Sequence, residues 1–287
     1  MKRFGRSLKY VYLGIMLVFL YLPIVYLIVF SFNQFHVGRS GEADYTNIGK
    51  WMGFTFTNYG AIFKGEASRA LMLTLEIAVL SSIAATIIGT AAAIGINSMK
   101  KRSRSIVLSV SQLPMVNPDL VTGITFMMLF AFVNSVLSNV NLKINDFVKL
   151  LIAHISFSIP YVIFSVLPRL KQSSDLLYEA AMDLGCSPMQ ALFKAVIPDI
   201  MPGITSGFIM ALTMSLDDFV VSYFVSDLRS TLSIYIYSRA AHGTKGVNPA
   251  LATIIFIPLV TMLLVVNLRR LAKDREYEIQ NKKVKMK

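Results

Sequence analysis

Six apolar runs dominate this chain, at residues 10–32, 70–97, 106–132, 148–168, 201–225 and 250–271. Each is close to the ~20 mostly apolar residues that a helix needs to cross a bilayer. None carries a Lys or Arg away from its ends. In lipid every backbone N–H and C=O must be bonded internally, so runs of this length fold as helices. Only 15% of the 287 residues are charged, against about 25% in soluble domains, and the mean hydropathy is +0.60. The fold class expected is all-α: a polytopic membrane protein with six transmembrane helices, forming a single domain over 1–287.

The net charge of +12 raises nucleic acid as a partner, but its distribution argues against one. The basic residues sit in short runs between apolar segments, as topology signals do. Residues 1–9, 98–105, 169–200 and the tail from Arg269 hold 19 of the 28 Lys and Arg. The run Lys100-Lys101-Arg102-Ser103-Arg104 is the strongest of these signals. Both termini are therefore expected in the cytoplasm. The first run has no cleavage pattern after it and reads as a retained signal anchor. The tail Arg269–Lys287 reads as a frayed helix end on the anionic inner leaflet. The lone Cys186 has no partner for an internal disulfide, and His36, His154 and His242 lack ligand spacing, so no metal site is expected. No Ser/His/Asp or Cys/His arrangement points to nucleophilic chemistry.

The loop 169–200 is long and polar for a chain made of spans. Leu176, Leu177, Ala180, Ala181 and Leu184 recur at the spacing of one helical stripe. Asp175 is placed to cap that helix, with Glu179 and Asp183 on its polar side. Gly185 permits the left-handed residue that ends a helix. Ser187-Pro188 opens a second short helix through Met189, Leu192, Phe193 and Val196, which Pro198 is expected to stop. The product is a knob of two short helices. Such a piece either packs on the bilayer surface or docks on a partner; the scarcity of basic residues on its polar face weighs against lipid.

Three carboxylates lie inside the apolar runs: Asp217 and Asp218 in the fifth, Asp119 in the third. A carboxylate at bilayer depth costs about 2.5–3.5 kcal/mol on insertion scales and must face protein or water. Asp119 and Asp217 each lie roughly 20 Å from the cytoplasmic start of their helices, at similar levels. Neighbouring residues on a helix point ~100° apart, so Asp217 and Asp218 are not expected to face one lumen together. Pro114 and Pro118 are expected to kink the third span near Asp119. Two readings are open. The acids cap a broken helix or bond neighbouring hydroxyls, or they line a path for a cation. Three acids without a base inside the spans favour the path. Trp51, Phe54, Phe56, Tyr59, Tyr223 and Phe224 read either as an interfacial belt or as cation–π contacts. Glu76, near the outer end of the second span, reads as snorkelling or vestibular.

The group Glu179-Ala180-Ala181 with Gly185, and Pro198 thirteen residues further on, resembles the EAA loop of importer permeases of the ABC transporter class. Ala195 and Ile197 stand where that family usually has Ile and Leu, a change of volume only. Ser215-Leu216-Asp217-Asp218-Phe219, Trp51-x-Gly53-Phe54-Thr55-x-x-Asn58-Tyr59 and the basic N-terminus look like the spermidine/putrescine importer permeases. That likeness runs from Ser31-Phe32-Asn33 to Asn248-Pro249-Ala250.

The resemblance implies a bacterial plasma (inner) membrane protein, multi-pass, working by alternating access. It implies a homologous second permease, a cytoplasmic ABC ATPase dimer, and an extracellular or periplasmic polyamine-binding protein, besides membrane lipid. Glu179 would meet the ATPase by charge and hydrogen bond, Ala180 and Ala181 would permit close approach, Gly185 would set the turn, and Pro198 completes the motif. Asp119, Asp217 and Asp218, with Trp51 and Tyr223, would form the substrate path. The chain has no G-x-x-x-x-G-K-[ST] P-loop. It is thus expected to be no enzyme and to bind no cofactor, ATP and Mg residing on the ATPase. The alternatives are a permease of the same fold for another solute, and a secondary transporter using the acids as proton relays.

Overall fold

The computed structural model describes residues 2–34, 36–37, 43–44, 50–63, 65–117, 119–138, 143–172, 175–227 and 229–241, with 249–254, 256–258, 260–261, 264–265 and 268. The chain packs as two compact units, residues 1–68 with 236–287, and residues 69–235.

In the first unit, α1 (Lys2–Phe30) carries the apolar stretch Val11–Phe30, none of it buried. A polar clasp follows. Asn33, fully buried, donates Nδ2 to Lys50 O at 2.9 Å and accepts Met52 N at 2.8 Å. Asn58 donates to the carbonyls of Ser31 and Asn33, and the Ser31 and Tyr59 hydroxyls meet at 2.6 Å. Phe32 stacks on Phe54, ring centroids 5.4 Å apart, and Trp51 sets an edge against Phe30. These buried amides satisfy backbone groups that the irregular chain would otherwise leave bare. The unit also holds the two-residue strands β1 (His36–Val37) and β2 (Ala43–Asp44), antiparallel with His36 opposite Asp44, and the short helix α2 (Thr57–Ile62).

The second unit is built from α3 (Glu66–Asn97), α4 (Lys101–Val116), α5 (Asp119–Ser138), α6 (Asp146–Gln172), α7 (Asp175–Asp183), α8 (Pro188–Ala191), a π turn (Leu192–Val196), α9 (Ile197–Asp217), α10 (Val220–Val225) and the start of α11 (Leu232–Ala241). Its centre is α6, whose Val162, Val166 and Leu167 pack with Ala85, Ala93 and Ile96 of α3 and Ile200 and Ala211 of α9. A second cluster joins Leu150 and Ala153 of α6 to Leu73, Ile77, Phe130, Val221 and Val225. Between helices in lipid, close approach of small residues replaces the hydrophobic drive. Gly203 and Gly207 of α9 lie against α6 so tightly that a Cβ on Gly207 would sit 3.1 Å from the Val162 Cα.

Among the described residues five helices are long and apolar enough to cross a bilayer, beginning with Val11–Phe30: Glu66–Asn97, Asp119–Ser138, Asp146–Gln172 and the continuous Pro188–Asp217 follow. The sixth apolar run appears as a shorter helix, Pro249–Pro258. Asn248 and the tail from Arg269 lie outside the described residues, as do Pro118 and His242.

Three expectations are corrected. The third run is not one kinked helix over 106–132. Asn117 takes an extended conformation (φ −69°, ψ 136°) and separates α4, none of whose residues is buried, from α5. Proline disfavours the helical conformation in the residue before it, which accounts for the break at Asn117. The fifth run is likewise interrupted, since α9 ends at Asp217 and Asp218 is extended (φ −65°, ψ 124°). Finally, Pro198 does not stop the second knob helix. It lies in the first turn of α9, after a π turn in which Ile197 N–H reaches back to Leu192 O. The wider turn shifts the hydrogen-bond register, so a residue without an N–H is accommodated in an unbroken rod.

Candidate functional site

The two breaks bring the intramembrane acids together. A cavity of about 160 Å³ is lined by Pro114 of α4, Asp119 and Thr122 of α5, Phe157 and Tyr161 of α6, Met214 and Asp217 of α9, and the stretch Asp218–Val221. No Lys, Arg or His is among the described lining residues. Asp119 stands in the first turn of α5, where the positive end of the helix dipole favours a carboxylate. Asp217 ends α9, and both side chains are exposed at the cavity mouth.

Asp218 is placed differently. Its side chain is only 9% exposed, and its oxygens accept the backbone N–H of Val221 at 3.2 Å and of Ser222 at 2.8 Å. It therefore supplies the first turn of α10 with acceptors that the broken helix lacks. Of the three acids, this one does what the capping reading expects. Because Asp218 lies outside any helix, the ~100° offset does not apply, and it lines the same cavity as Asp217.

Behind the cavity lies a polar network that the sequence reading missed. His154 is 1% exposed; its Nδ1 lies 2.6 Å from Ser215 Oγ and its Nε2 3.1 Å from Ser222 Oγ. The same Nε2 is 3.6 Å from Asp218 Oδ2. Ser215 Oγ is in turn 3.1 Å from Ser81 Oγ, and Ser81 donates to Ala78 O. Ser81, Ser215, His154 and Ser222 thus form one continuous hydrogen-bonded chain across four helices, with both imidazole nitrogens engaged by a hydroxyl. The available signal was simple: an imidazole at membrane depth is itself a functional flag, whatever its ligand spacing. Phe157, Tyr161 and Phe219 were also missed, since only the fold places their rings around the acids.

Tyr223 and Trp51 do not join the acids in this cavity. Tyr223 is exposed on α10 with Phe219 and Phe224 beside it. Trp51 belongs to the first unit.

The knob forms from local signals. Cys186 N–H bonds to Ala181 O and Gly185 N–H to Met182 O, a Schellman closure of α7. Gly185 takes φ +86°, a conformation that only glycine adopts at little cost. Ser187 and Gln190 then form a reciprocal capping box with Pro188 in the first turn. Glu179 and Ala180 are exposed and Ala181 is half-buried. Leu184, expected on the apolar stripe, is 86% exposed at the turn; the side chain of Leu176 lies outside the described set. A groove of about 390 Å³ runs between Glu179, Tyr178, Met189 and Leu192 on one side and Asn97, Ser98 and Leu170 on the other.

The sequence pattern of the family named "Binding-protein-dependent transport system inner membrane component" matches residues 85–275, more than half of the chain, including the residues given for the cavity lining and the knob. The chain belongs to this family. Among relatives of this inner-membrane component, the spermidine/putrescine transport system permease protein PotC of Escherichia coli (strain K12) is 32% identical over 273 residues, 94% of this chain and 96% of its own length. The putrescine transport system permease protein PotI of the same strain is 31% identical over 267 residues, 91% of each chain. The crystal structure of a bacterial ABC transporter involved in the import of the acidic polysaccharide alginate superposes with a TM-score of 0.68 at 18% identity. The match covers 93% of this chain and 96% of that one, and establishes the fold. Membership of a binding-protein-dependent transport family removes the secondary-transporter alternative.

Proposed function

We propose that this permease is one half of the membrane path of an ATP-driven importer that carries spermidine or putrescine into the cytoplasm. The observation that carries the reading is the cavity: three carboxylates and three aromatic rings, with no basic side chain among the described lining residues. Its volume is many times the roughly 10–15 Å³ that one water needs, so it has room for an alkylammonium end. Asp217 and Asp119 replace the water around that ammonium, while the rings of Phe157, Tyr161 and Phe219 offer their negative faces. Asp218 is already engaged by two backbone N–H groups, and its part is to hold the site's shape. Binding here is weak, because a path must release what it admits. An anionic solute would call for donors where this cavity has acids. The polyamine substrates in the names of PotC and PotI agree with the chemistry.

ATP and Mg are held by a separate ATPase pair, a homologous permease completes the path, and a polyamine-binding protein delivers the substrate. The knob is the contact with the ATPase. Its exposed Leu177, Met182, Leu184, Met189 and Phe193 are an apolar face of the kind that marks a protein interaction site. Glu179 adds charge beside it, and both termini share the cytoplasmic side with it.

The test is uptake of labelled spermidine and putrescine in cells lacking their own importers, with the chain co-expressed with its partner permease, ATPase and binding protein. Saturable uptake that falls about tenfold or more in Asp217→Asn is expected. An assembled complex that takes up neither polyamine would overturn the substrate assignment.

A further inference from the structure

Four deeply buried polar side chains of the second unit line no part of the cavity but lie behind it. Ser81, His154, Ser215 and Ser222 are each 3% exposed or less, and they come from α3, α6, α9 and α10. Ser215 and Ser222 bond the imidazole directly and Ser81 reaches it through Ser215, so the ring touches the chain on both sides of the α9–α10 break. Nδ1 holds Ser215, two residues before Asp217, and Nε2 holds Ser222, four residues after Asp218.

A helix break has no backbone hydrogen bonds of its own to fix the angle between its halves. The flanking segments must be set by side chains. Here Asp218 ties the break to α10, through Val221 and Ser222. Beyond the apolar packing of α9 on α6, the hydrogen-bonded link from the break back to α9 and across to α6 passes through His154. Each of its nitrogens is used, and an unmade bond at this depth costs the full desolvation of the group left behind. The ring is also wedged beside Phe157, a cavity-lining residue, with centroids 5.0 Å apart.

We propose that His154 is a positioning residue for transport: it clamps both ends of the α9–α10 break, keeping Asp217 at the cavity mouth and Asp218 on its cap. It touches no substrate. Without the ring, Ser215 and Ser222 lose their common anchor, α10 turns relative to α9, and the Asp217 carboxylate leaves its place. The transport consequence rests on the cation-path reading; the geometric consequence does not.

The experiment uses the complete transporter with two readouts. The first is spermidine uptake per ATP hydrolysed in His154→Leu and His154→Gln. Loss of the anchor is expected to lower this ratio about tenfold in the Leu form, with ATP hydrolysis stimulated by the loaded binding protein nearly unchanged. The Gln form should recover part of it. A merely destabilised protein would lose both activities together. The second readout is the rate at which 2-aminoethyl methanethiosulfonate modifies Asp217→Cys in a Cys186→Ser chain, with and without His154→Leu. A severalfold change in that rate supports the clamp, even if the unmodified transporter carries no polyamine and the substrate assignment fails. Unchanged labelling together with an unchanged uptake ratio overturns it. If His154→Leu does not assemble, Ser222→Ala decides, since it keeps the ring and removes one anchor: an unaltered labelling rate there also overturns the clamp.

Discussion

Two helix breaks deliver the acids of the cavity, and they are built in different ways. At the α4–α5 break, Asn117 precedes a proline and no residue of α4 is buried. The interruption follows from the covalent chain. At the α9–α10 break no proline intervenes. Asp218, His154, Ser215 and Ser222 hold it open from three helices. One break is therefore local and cheap to specify; the other depends on tertiary contacts and is sensitive to any of them. The difference predicts where substitutions hurt.

The largest effect is expected from Asp217→Lys. It puts a cation where an ammonium must pass, and at an effective dielectric near 20 a unit charge at ~4 Å is worth about 4 kcal/mol. Uptake should fall at least 100-fold with the complex intact, as measured by transport and co-purification. Retained uptake would place the path elsewhere. Asp218→Ala should act on stability instead, lowering that of the detergent-purified transporter by about 1–2 kcal/mol through loss of an acceptor for two backbone donors. Asp217→Ala, by contrast, should leave the melting curve where it was. Equal shifts for the two would erase the distinction between a capping and a path carboxylate. The smallest effect should come from Pro118→Ala. Releasing the restriction on Asn117 adds disorder mainly to the unfolded chain, about 0.4–1 kcal/mol. A larger loss than that of Asp218→Ala would reverse the ranking of the two breaks.

The same contrast explains what was legible in the sequence. The knob was readable because its devices are a few residues apart: Gly185 for the turn and Ser187-Pro188 for the start of the second helix, while the box that Gln190 closes went unread. The apolar runs gave the all-α membrane fold, and the Glu179–Pro198 spacing with the Ser215–Phe219 stretch carried the resemblance to the family. Pro198 misled because a proline ordinarily ends a helix, and nothing local announces the π turn that accommodates it. The grouping of Asp119 with Asp217 at one level followed from counting residues, but the capping role of Asp218 did not, since it needs a broken helix that hydropathy does not reveal. His154 and Ser222 are 68 residues apart. Only the packing of α6 against α9 and α10 brings them together.

The failure of Pro198 to end its helix has a mechanical meaning. Pro188–Asp217 is a single rod of 30 residues, about 45 Å long at 1.5 Å per residue, with the knob at one end and Asp217 at the other. A lever of that length magnifies: a tilt of a few degrees at its foot carries its tip several ångström sideways. The wider π turn at Leu192–Val196 sits near the foot of that rod, where the smallest change of angle is magnified most at the tip.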